Sequence, residues 1–497
     1  MSTKSDATLP VGSSDGASIE SDLKVAARYE ESGRFTEAEQ IYDRLCHLYP
    51  DNAELHRRHG LAAWTLQQAD RAFELLRRAA ALDPASTRAL KDLAEQHLAL
   101  GQLAEAEQAI AQAMERDPKD ADLLVKRAVL CLRLGQKALA IQLCQSALAI
   151  NPAQVGALQF LGTYAWETGD LAKATEYLMV ARGQSAHVHD PNGLLASCLF
   201  ALGRSREIDG LTACATESQL YLEVILQALW TWQVEKLEYC RHLLFRANGL
   251  LPKLPETAPR RNQFVLFQRA LTALLNYGAA NSQAYEAQAE SVLVAIGDHH
   301  CLAPCHLAIP FQGAIHRVRS ATVLGMKAEH LIQPTDNPQR SAFLAALDML
   351  PSDTKILLSL GELDCRHNGG LLTHLKGNPG VDLDGFLSEF VGSYLGTALE
   401  LAQARGLELN ILAGPTPNVR VKNLPLADRE LFLEVSDGFN RHLKTAAAEK
   451  GLPLIDLYAA TRDADGQPVK ELFMDGHHCF PTAYLKAFEA QGANQGQ

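Results

Sequence analysis

The spacing of the prolines constrains the first half of this 497-residue chain more than any other pattern. Four of them follow one another at intervals of 34 residues, each near the end of an amphipathic helical pattern: Pro50, Pro84, Pro118 and Pro152. Alanines repeat in the same register, where two helices would cross: Ala38, Ala72, Ala106, Ala140 and Ala174. Glycines stand where the turns between helices are expected: Gly33, Gly101, Gly135 and Gly169. A constant period of this length predicts helical pairs that stack on their neighbours.

These repeated positions resemble the tetratricopeptide repeat family over residues 19–188, which would hold five units. The resemblance implies an all-α superhelical solenoid whose stability comes from contacts between neighbouring units. Solenoids of this kind serve as binding surfaces, so we expect a protein or peptide partner on the concave face.

Composition and charge argue against several other classes of protein. A net charge of −12 argues against nucleic acid or an anionic membrane as the main partner. No run of residues approaches the ~20 apolar residues needed to span a bilayer. The polar residues 1–18 lack the apolar core of a secretory signal and predict a disordered leader. Ten cysteines without a CxxC pair favour a reduced, cytoplasmic setting.

The second half of the chain has a different pattern. We interpret residues 189–290 as a degenerate or capping helical segment and linker. Beyond it, short apolar runs alternate with helical stretches, and five of the runs are interpreted as strands: 291–296, 321–324, 355–360, 409–413 and 453–457. The alternation predicts a three-layer α/β domain over residues 291–491, with a parallel sheet covered by helices on both faces. Ligands of such sheets bind at the carboxyl ends of the strands.

The residues at those strand ends are unusually polar. Three segments stand out: Gly297-Asp298-His299-His300-Cys301, Gly361-Glu362-Leu363-Asp364-Cys365-Arg366 and Asp475-Gly476-His477-His478-Cys479. Their order resembles the SGNH/GDSL hydrolases, a family of esterases and acyltransferases. That family has a serine in a GDS turn, a glycine and an asparagine as oxyanion donors, and a DxxH pair. The resemblance assigns Asp475 and His478 to the DxxH pair, Gly325 to the oxyanion glycine, and Gly297 with Asp298 to the first turn.

Two positions depart from that pattern. His299 stands where the family has its serine, and Leu363 stands where it has its asparagine. The family's acyl-enzyme cannot form without the hydroxyl, and a leucine side chain cannot donate a hydrogen bond to an oxyanion. We therefore expect a domain without serine-esterase activity, in which His478, Asp475 and His299 are the candidate catalytic residues. The residues expected to bind a ligand are Asp298, His300, Gly325, Glu362, Asp364 and Arg366.

The histidine doublets allow a second interpretation of the same strand ends. In the fold that the resemblance implies, His299 and His300 should lie near His477 and His478, and imidazole with carboxylate is a ligand set that zinc accepts. The doublets lack the i, i+4 spacing of a helical metal motif, and adjacent side chains point in opposite directions. We expect no cofactor and keep these four histidines as metal candidates. A nucleophilic Cys301 is a further alternative, although buried thiols are ordinarily inert.

Two functions follow from these predictions. The first is a protein-interaction scaffold, in which the solenoid is fused to a catalytically degenerate SGNH-like domain that binds a ligand or a second partner. The second is an SGNH-type esterase or acyltransferase that acts on a carbohydrate or acylated substrate recruited by the solenoid. A glycosyltransferase is disfavoured, because the chain has no sugar-nucleotide motif. The missing serine discriminates between the first two functions.

Overall fold

The computed structural model describes residues 16–184, 193–214, 217–258, 260–282, 285, 288–333, 335–366, 370–417, 425–475 and 478–495. Most of the leader expected at residues 1–18 lies outside the described residues. The chain divides into two compact units, Met1–Leu161 and Gly162–Gln497, which are described separately.

The first unit consists of paired antiparallel helices. Their bounds are α1 Gly16–Glu31, α2 Phe35–Leu48, α3 Ala53–Thr65, α4 Ala69–Leu82, α5 Arg88–Ala99, α6 Leu103–Arg116, α7 Ala121–Arg133, α8 Lys137–Ile150 and α9 Val155–Glu167, which continues into the second unit. The alanines predicted at helix crossings are wholly buried: Ala38, Ala72, Ala106 and Ala140. Gly101 lies in the turn between two helices and has a left-handed backbone conformation, with φ +71°. In the one turn of the series that lacks a glycine, Gln67 adopts the same conformation, with φ +62°.

The second unit begins with more helices. They are α10 Leu171–Gln184, α11 Leu194–Ala201, α12 Glu217–Gln233, α13 Leu237–Leu250 and α14 Arg261–Ala280, with 3₁₀ turns at Ser205–Cys214 and Leu251–Lys253. Trp232 of α12 is buried, and its indole N–H donates a hydrogen bond to the carbonyl oxygen of Leu302 at 3.3 Å. These helices therefore contact the sheet region directly.

A six-stranded sheet follows the helices. Its strands are β1 Ser291–Gly297, β2 Ala308–Phe311, β3 Ala314–Thr322, β4 Lys355–Ser359, β5 Glu408–Leu412 and β6 Leu454–Ile455, in the spatial order β2-β3-β1-β4-β5-β6. The pairs β1–β3, β1–β4, β4–β5 and β5–β6 are parallel. The strand predicted at 321–324 begins earlier in the structure and ends at Thr322.

The sheet is mixed, which corrects the prediction of a purely parallel sheet. The edge strand β2 is antiparallel to β3, and a two-residue turn of Gln312 and Gly313 joins them. Both turn residues have positive φ, +49° and +80°, as the tight hairpin turn that matches the twist of two strands requires. Strand β2 was not predicted, because it is only four residues long, Ala308–Phe311, and contains Pro310, which is unfavourable within a sheet.

Helices cover both faces of this sheet. On one face Leu293 and Ala295 of β1 pack in a single core with α11–α14 and the last helix. On the other face Val294 and Ile296 pack with helices that follow β3, β4 and β5. The remaining helices are α15 Glu329–Ile332, α16 Pro338–Asp348, α17 Glu362–Cys365, α18 Gly370–Gly377, α19 Leu383–Gln403, α20 Leu426–Glu449, α21 Leu457–Ala460 and α22 Pro481–Gln495. Successive side chains of β1 point to opposite faces of the sheet, so they belong alternately to two apolar cores.

Candidate functional site

The candidate site lies where β1 and β4 end side by side. Gly297 pairs with Ser359 in the parallel ladder, and a Cβ at Gly297 would stand 2.1 Å from the carbonyl oxygen of Ser359. Its φ of +148° is also one that side-chain-bearing residues rarely adopt. Glycine therefore allows the two strand ends to approach, and it brings the residues after β1 beside those after β4.

Asp298 directs the backbone that follows β1. Its carboxylate Oδ1 accepts a hydrogen bond from the backbone N–H of His300 at 2.9 Å and caps the short 3₁₀ helix His299–Leu302. The side chain is 1 % exposed, and its Oδ2 is buried without a hydrogen-bond partner among the described residues. Asp298 therefore presents one unsatisfied carboxylate oxygen inside the site.

The DxxH pair has the geometry of an oriented base. The Nδ1–H of His478 donates to Asp475 Oδ2 at 2.7 Å, and the backbone N–H of His478 donates to Oδ1 at 2.9 Å. An isolated bridge between Phe473 and Cys479 closes the loop that holds both residues. The Asp475 carboxylate thus fixes the orientation of the His478 ring, and Nε2 is the nitrogen that can exchange a proton with a substrate.

Three of the predicted histidines come together. The ring centroids of His299 and His478 are 4.8 Å apart with nearly perpendicular planes, and those of His299 and His300 are 4.3 Å apart. His300 and His478 are 6.1 Å apart by the same measure. His477 lies outside the described residues. The structure therefore places His299 and His478 side by side, although they are far apart in sequence.

Glu362 and Arg366 lie in the same cluster. The Arg366 guanidinium pairs with both carboxylate oxygens of Glu362 at 2.9 and 3.0 Å. Its Nη2–H also donates to His299 Nε2 at 3.1 Å. Glu362 Oε2 lies 3.3 Å from Nε2 of His300, without hydrogen-bond geometry. One ion pair thus contacts two of the three histidines.

Burial and neighbouring charges shift the pKa values of these groups in different directions. Burial raises the pKa of Asp298 to about 6, with a further contribution from Glu362. Burial, together with His300, His478 and Arg366, holds the pKa of His299 well below its ordinary value. Burial also acts to lower the pKa of His300, but Asp298 and Glu362 outweigh it, so this pKa is raised. At neutral pH the ring of His299 is therefore uncharged.

Asp364 and Gly325 are placed differently from the other predicted ligand-binding residues. Asp364 is fully buried, and its two oxygens accept the backbone N–H groups of Ala328 and Glu329 at 2.8 and 3.0 Å. Its carboxylate thereby anchors the start of α15, and we leave it out of the proposed site. Gly325 lies in the turn after β3 with φ +69°, and an added Cβ would be 3.9 Å from the amide nitrogen of Gln263.

Among the described residues, two groups have the ligand types and the proximity that a metal ion needs. In the first group, donor atoms of Asp298, His299 and His300 lie within 4.8 Å of one another. The second group is Glu39, Asp43 and His59. There, Arg71 pairs with Glu39 at 2.9 Å and with Asp43 at 2.7 Å, so a guanidinium already supplies the positive charge.

A metal ion at the first group stays an untested alternative to the expectation that the domain has no cofactor. Arg366 already donates to Nε2 of His299, so an ion would have to bind this ring through Nδ1 or displace the arginine.

Three residues that were not predicted from the sequence also shape the site. Tyr484 of α22 is fully buried, and its hydroxyl donates to the carbonyl oxygen of His300 at 2.9 Å. Phe267 of α14 stands edge-on to the His299 ring at 6.5 Å between centroids. Thr322 of β3 lies 3.2 Å from Cys301 Sγ. Tyr484 and Phe267 both occupy apolar positions of helical patterns, so the sequence pattern predicts that they are ordinary core residues.

The thiol of Cys301 is a poor nucleophile in this setting. The residue is fully buried, and burial raises the pKa of the thiol. A buried protonated thiol is inert toward ester substrates. The cysteine alternative therefore has no support from this geometry.

A tetratricopeptide repeat model matches residues 26–87 and 91–155. The N-terminal region thus carries tetratricopeptide repeats, as predicted, and such repeats imply a protein-interaction scaffold. No curated protein matches the chain. Among the described residues, no helix combines the length and apolar character needed to cross a bilayer.

Several solved structures are similar to part of the chain. A thermophilic TPR protein of Thermus thermophilus is 21 % identical and covers 36 % of this chain and 98 % of its own, with a TM-score of 0.32. MamA of Desulfovibrio magneticus is 18 % identical, covering 34 % and 96 %, with a TM-score of 0.28. The pilF protein of Pseudomonas aeruginosa is 14 % identical, covering 51 % and 96 %, with a TM-score of 0.32.

Proposed function

We propose that this protein is an interaction scaffold whose repeats bind an acidic peptide segment of a partner protein. The observation that carries the proposal is a groove of about 500 Å³ in the first unit. The first helices of successive repeats line it, with Arg57 on α3, Lys91 on α5 and Lys126 on α7. Arg57 and Lys91 occupy the same position of successive 34-residue units, and Lys126 comes one residue after that position in the next unit.

The cations of this groove are paired with acids from neighbouring repeats. Arg57 pairs with Asp92 at 2.8 Å, and Lys126 pairs with Glu95 at 2.6 Å. These pairs are partly exposed, so each contributes little to stability and can be exchanged for a charge on a peptide. A charged extended segment suits such a surface, because complementary charges fix its register and speed its association.

Charge reversal in the groove tests this function. In Lys126→Glu we expect the full-length protein to lose at least about tenfold in affinity for the partner that the parent chain captures, because a like charge replaces an attractive one. The matched control is Lys119→Glu, an exposed lysine in the turn between α6 and α7 that does not line the groove. Calorimetry with the captured partner measures both. Equal loss in both variants, or none in either, would contradict the groove as the binding surface.

We propose further that the second unit contains an SGNH-like domain that has lost serine chemistry and binds a carbohydrate or acyl ligand. Its parallel strands lie side by side in the order β3-β1-β4-β5-β6. The chain therefore passes from β1 to β3 on one side of the sheet, and then crosses to β4, β5 and β6 on the other side of β1. Such a reversal of strand order places a crevice at the carboxyl end of β1. His299 and His478 at that end support the assignment.

The second candidate function is an esterase or acyltransferase, and one observation favours it. Asp475 still orients His478 at 2.7 Å, an arrangement that ligand binding alone does not require. We expect slow hydrolysis of p-nitrophenyl acetate that falls at least about 100-fold in His478→Ala, the usual contribution of a positioned acid–base group. The control is His374→Ala, an exposed histidine that stacks on Phe386. If both variants hydrolyse the ester at the parent rate, His478 is not the base.

A further inference from the structure

Arg366 fixes the protonation of the imidazole at the serine position. A guanidinium has five N–H donors and no acceptor, so the nitrogen that it contacts must carry a lone pair. The contact is between Arg366 Nη2 and His299 Nε2, at 3.1 Å. The proton of the neutral ring is therefore on Nδ1, which faces Asp298 Oδ2 at 3.8 Å. His299 thus holds an unprotonated nitrogen at the position where the proposed SGNH-like arrangement would have the serine hydroxyl.

We propose that His299 Nε2 is a nucleophile that takes the acyl group of an uncharged ester and forms an acyl-imidazole. The proposal rests on the second candidate function and names its nucleophile and substrate class. It also changes the expectation that no acyl-enzyme forms at this position, because that expectation assumed an oxygen nucleophile.

Two carboxylates lie close to the site of acylation. Acylation at Nε2 leaves a positively charged ring, and the buried Oδ2 of Asp298, which has no hydrogen-bond partner among the described residues, faces its Nδ1–H. Glu362 lies in the same cluster, 3.3 Å from His300. The charges of these two carboxylates disfavour an anionic substrate such as a phosphate ester. A neutral carboxylic ester is therefore the matching substrate class.

Arg366 also supplies a hydrogen-bond donor for the oxyanion, which the side chain of Leu363 cannot supply. Its Nη2–H lies 3.1 Å from the attacking nitrogen, beside the place where the carbonyl oxygen of a bound ester becomes negative. The ester carbon has to approach along the lone pair that now accepts from Arg366, so the guanidinium N–H must first move off Nε2. Once moved, it is available to that oxygen. The arginine then replaces the amide that the leucine lacks.

His478 completes the proton balance. In the first step a bond forms between His299 Nε2 and the carbonyl carbon, the bond from that carbon to the leaving oxygen breaks, and protonated His478 gives the leaving alcohol its proton. In the second step His478 Nε2 takes a proton from water or an acceptor hydroxyl. That oxygen bonds to the carbonyl carbon, the carbon–nitrogen bond breaks, and His299 regains its lone pair.

Hydroxylamine trapping tests the proposal on the full-length chain. With p-nitrophenyl acetate and hydroxylamine, we expect acetohydroxamate to form at the rate of nitrophenolate release, because acyl-imidazoles react readily with this amine. His299→Ala and His299→Gln should both lose at least about 100-fold in this rate, the cost of removing an attacking group. The glutamine variant keeps a polar side chain of similar length, and near-identical circular dichroism of all variants shows that the fold is retained.

The outcomes separate this proposal from the function on which it rests. Hydrolysis that depends on His478 but survives both His299 variants would overturn His299 as the nucleophile and leave the esterase function standing. Absence of any hydrolysis by the parent would overturn both. Loss of the parent's activity after chelation, restored by zinc, would overturn the imidazole nucleophile in favour of a metal-bound hydroxide.

Discussion

His299→Ser should convert a protein that fluorophosphonate probes do not label into one that they label at about one equivalent per chain. The substitution puts a hydroxyl at the end of β1, beside a histidine that Asp475 already orients at 2.7 Å. The rings of His299 and His478 are 4.8 Å apart, so the serine Oγ falls near the free nitrogen of the base. Such probes react only with a serine that an adjacent base has activated. Gel fluorescence and intact mass measure the labelling.

Two matched variants complete this experiment. His299→Ala has the same cavity without a hydroxyl, and His299→Ser combined with His478→Ala has the hydroxyl without its base. We expect neither to be labelled. Labelling of the double variant at the level of the single one would show that the serine is not activated by His478, and the SGNH-like arrangement of the two residues would then be wrong.

Ala106→Trp should lower the free energy of unfolding by about 1–3 kcal/mol or more, the usual cost of overpacking a filled core. Ala106 is wholly buried on α6, in a cluster with Phe73, Leu76 and Leu90. An indole cannot enter this helix crossing unless the two helices move apart. Neighbouring repeats contribute jointly to stability, so the shift extends beyond one helical pair.

Ala111→Trp is the control for this substitution, because Ala111 lies on the same helix but is exposed. Denaturant unfolding followed by circular dichroism gives both free energies, and the control should stay within about 0.5 kcal/mol of the parent. If Ala106→Trp unfolds at the same denaturant concentration as the control, the crossing is looser than the structure indicates.

The repeats could be predicted in detail because one constraint recurs at a fixed interval. Each helix crossing requires a small residue, and each turn between helices requires a positive φ. Alanine at the crossings and glycine at the turns therefore indicate these positions in the sequence. Even the gap in the glycine series is informative, since Gln67 adopts the required conformation at φ +62°. Repetition turns a weak local preference into a strong signal.

The sheet and its site could be predicted only in part. Polar residues after apolar runs indicated the edge where the site lies, and His299 and His478 do meet there. The bond from Arg366 to His299 could not be predicted, because it depends on how far apart the ends of β1 and β4 lie. The anchoring role of Asp364 was also hidden, since its partners are backbone N–H groups, which nearly every residue type offers.

The core shared by α11–α14 and the sheet has a consequence for how this chain can be divided. Leu271 and Leu274 of α14 lie in the same apolar cluster as Leu293 and Ala295 of β1, and Phe267 of the same helix reaches the His299 ring. A cut at residue 291, where the sequence pattern changes, would open that interior to water and remove the aromatic neighbour of the His299 ring. The change of pattern therefore marks a change of secondary structure inside one compact unit, and a division of the chain at this point would separate two parts of the same core.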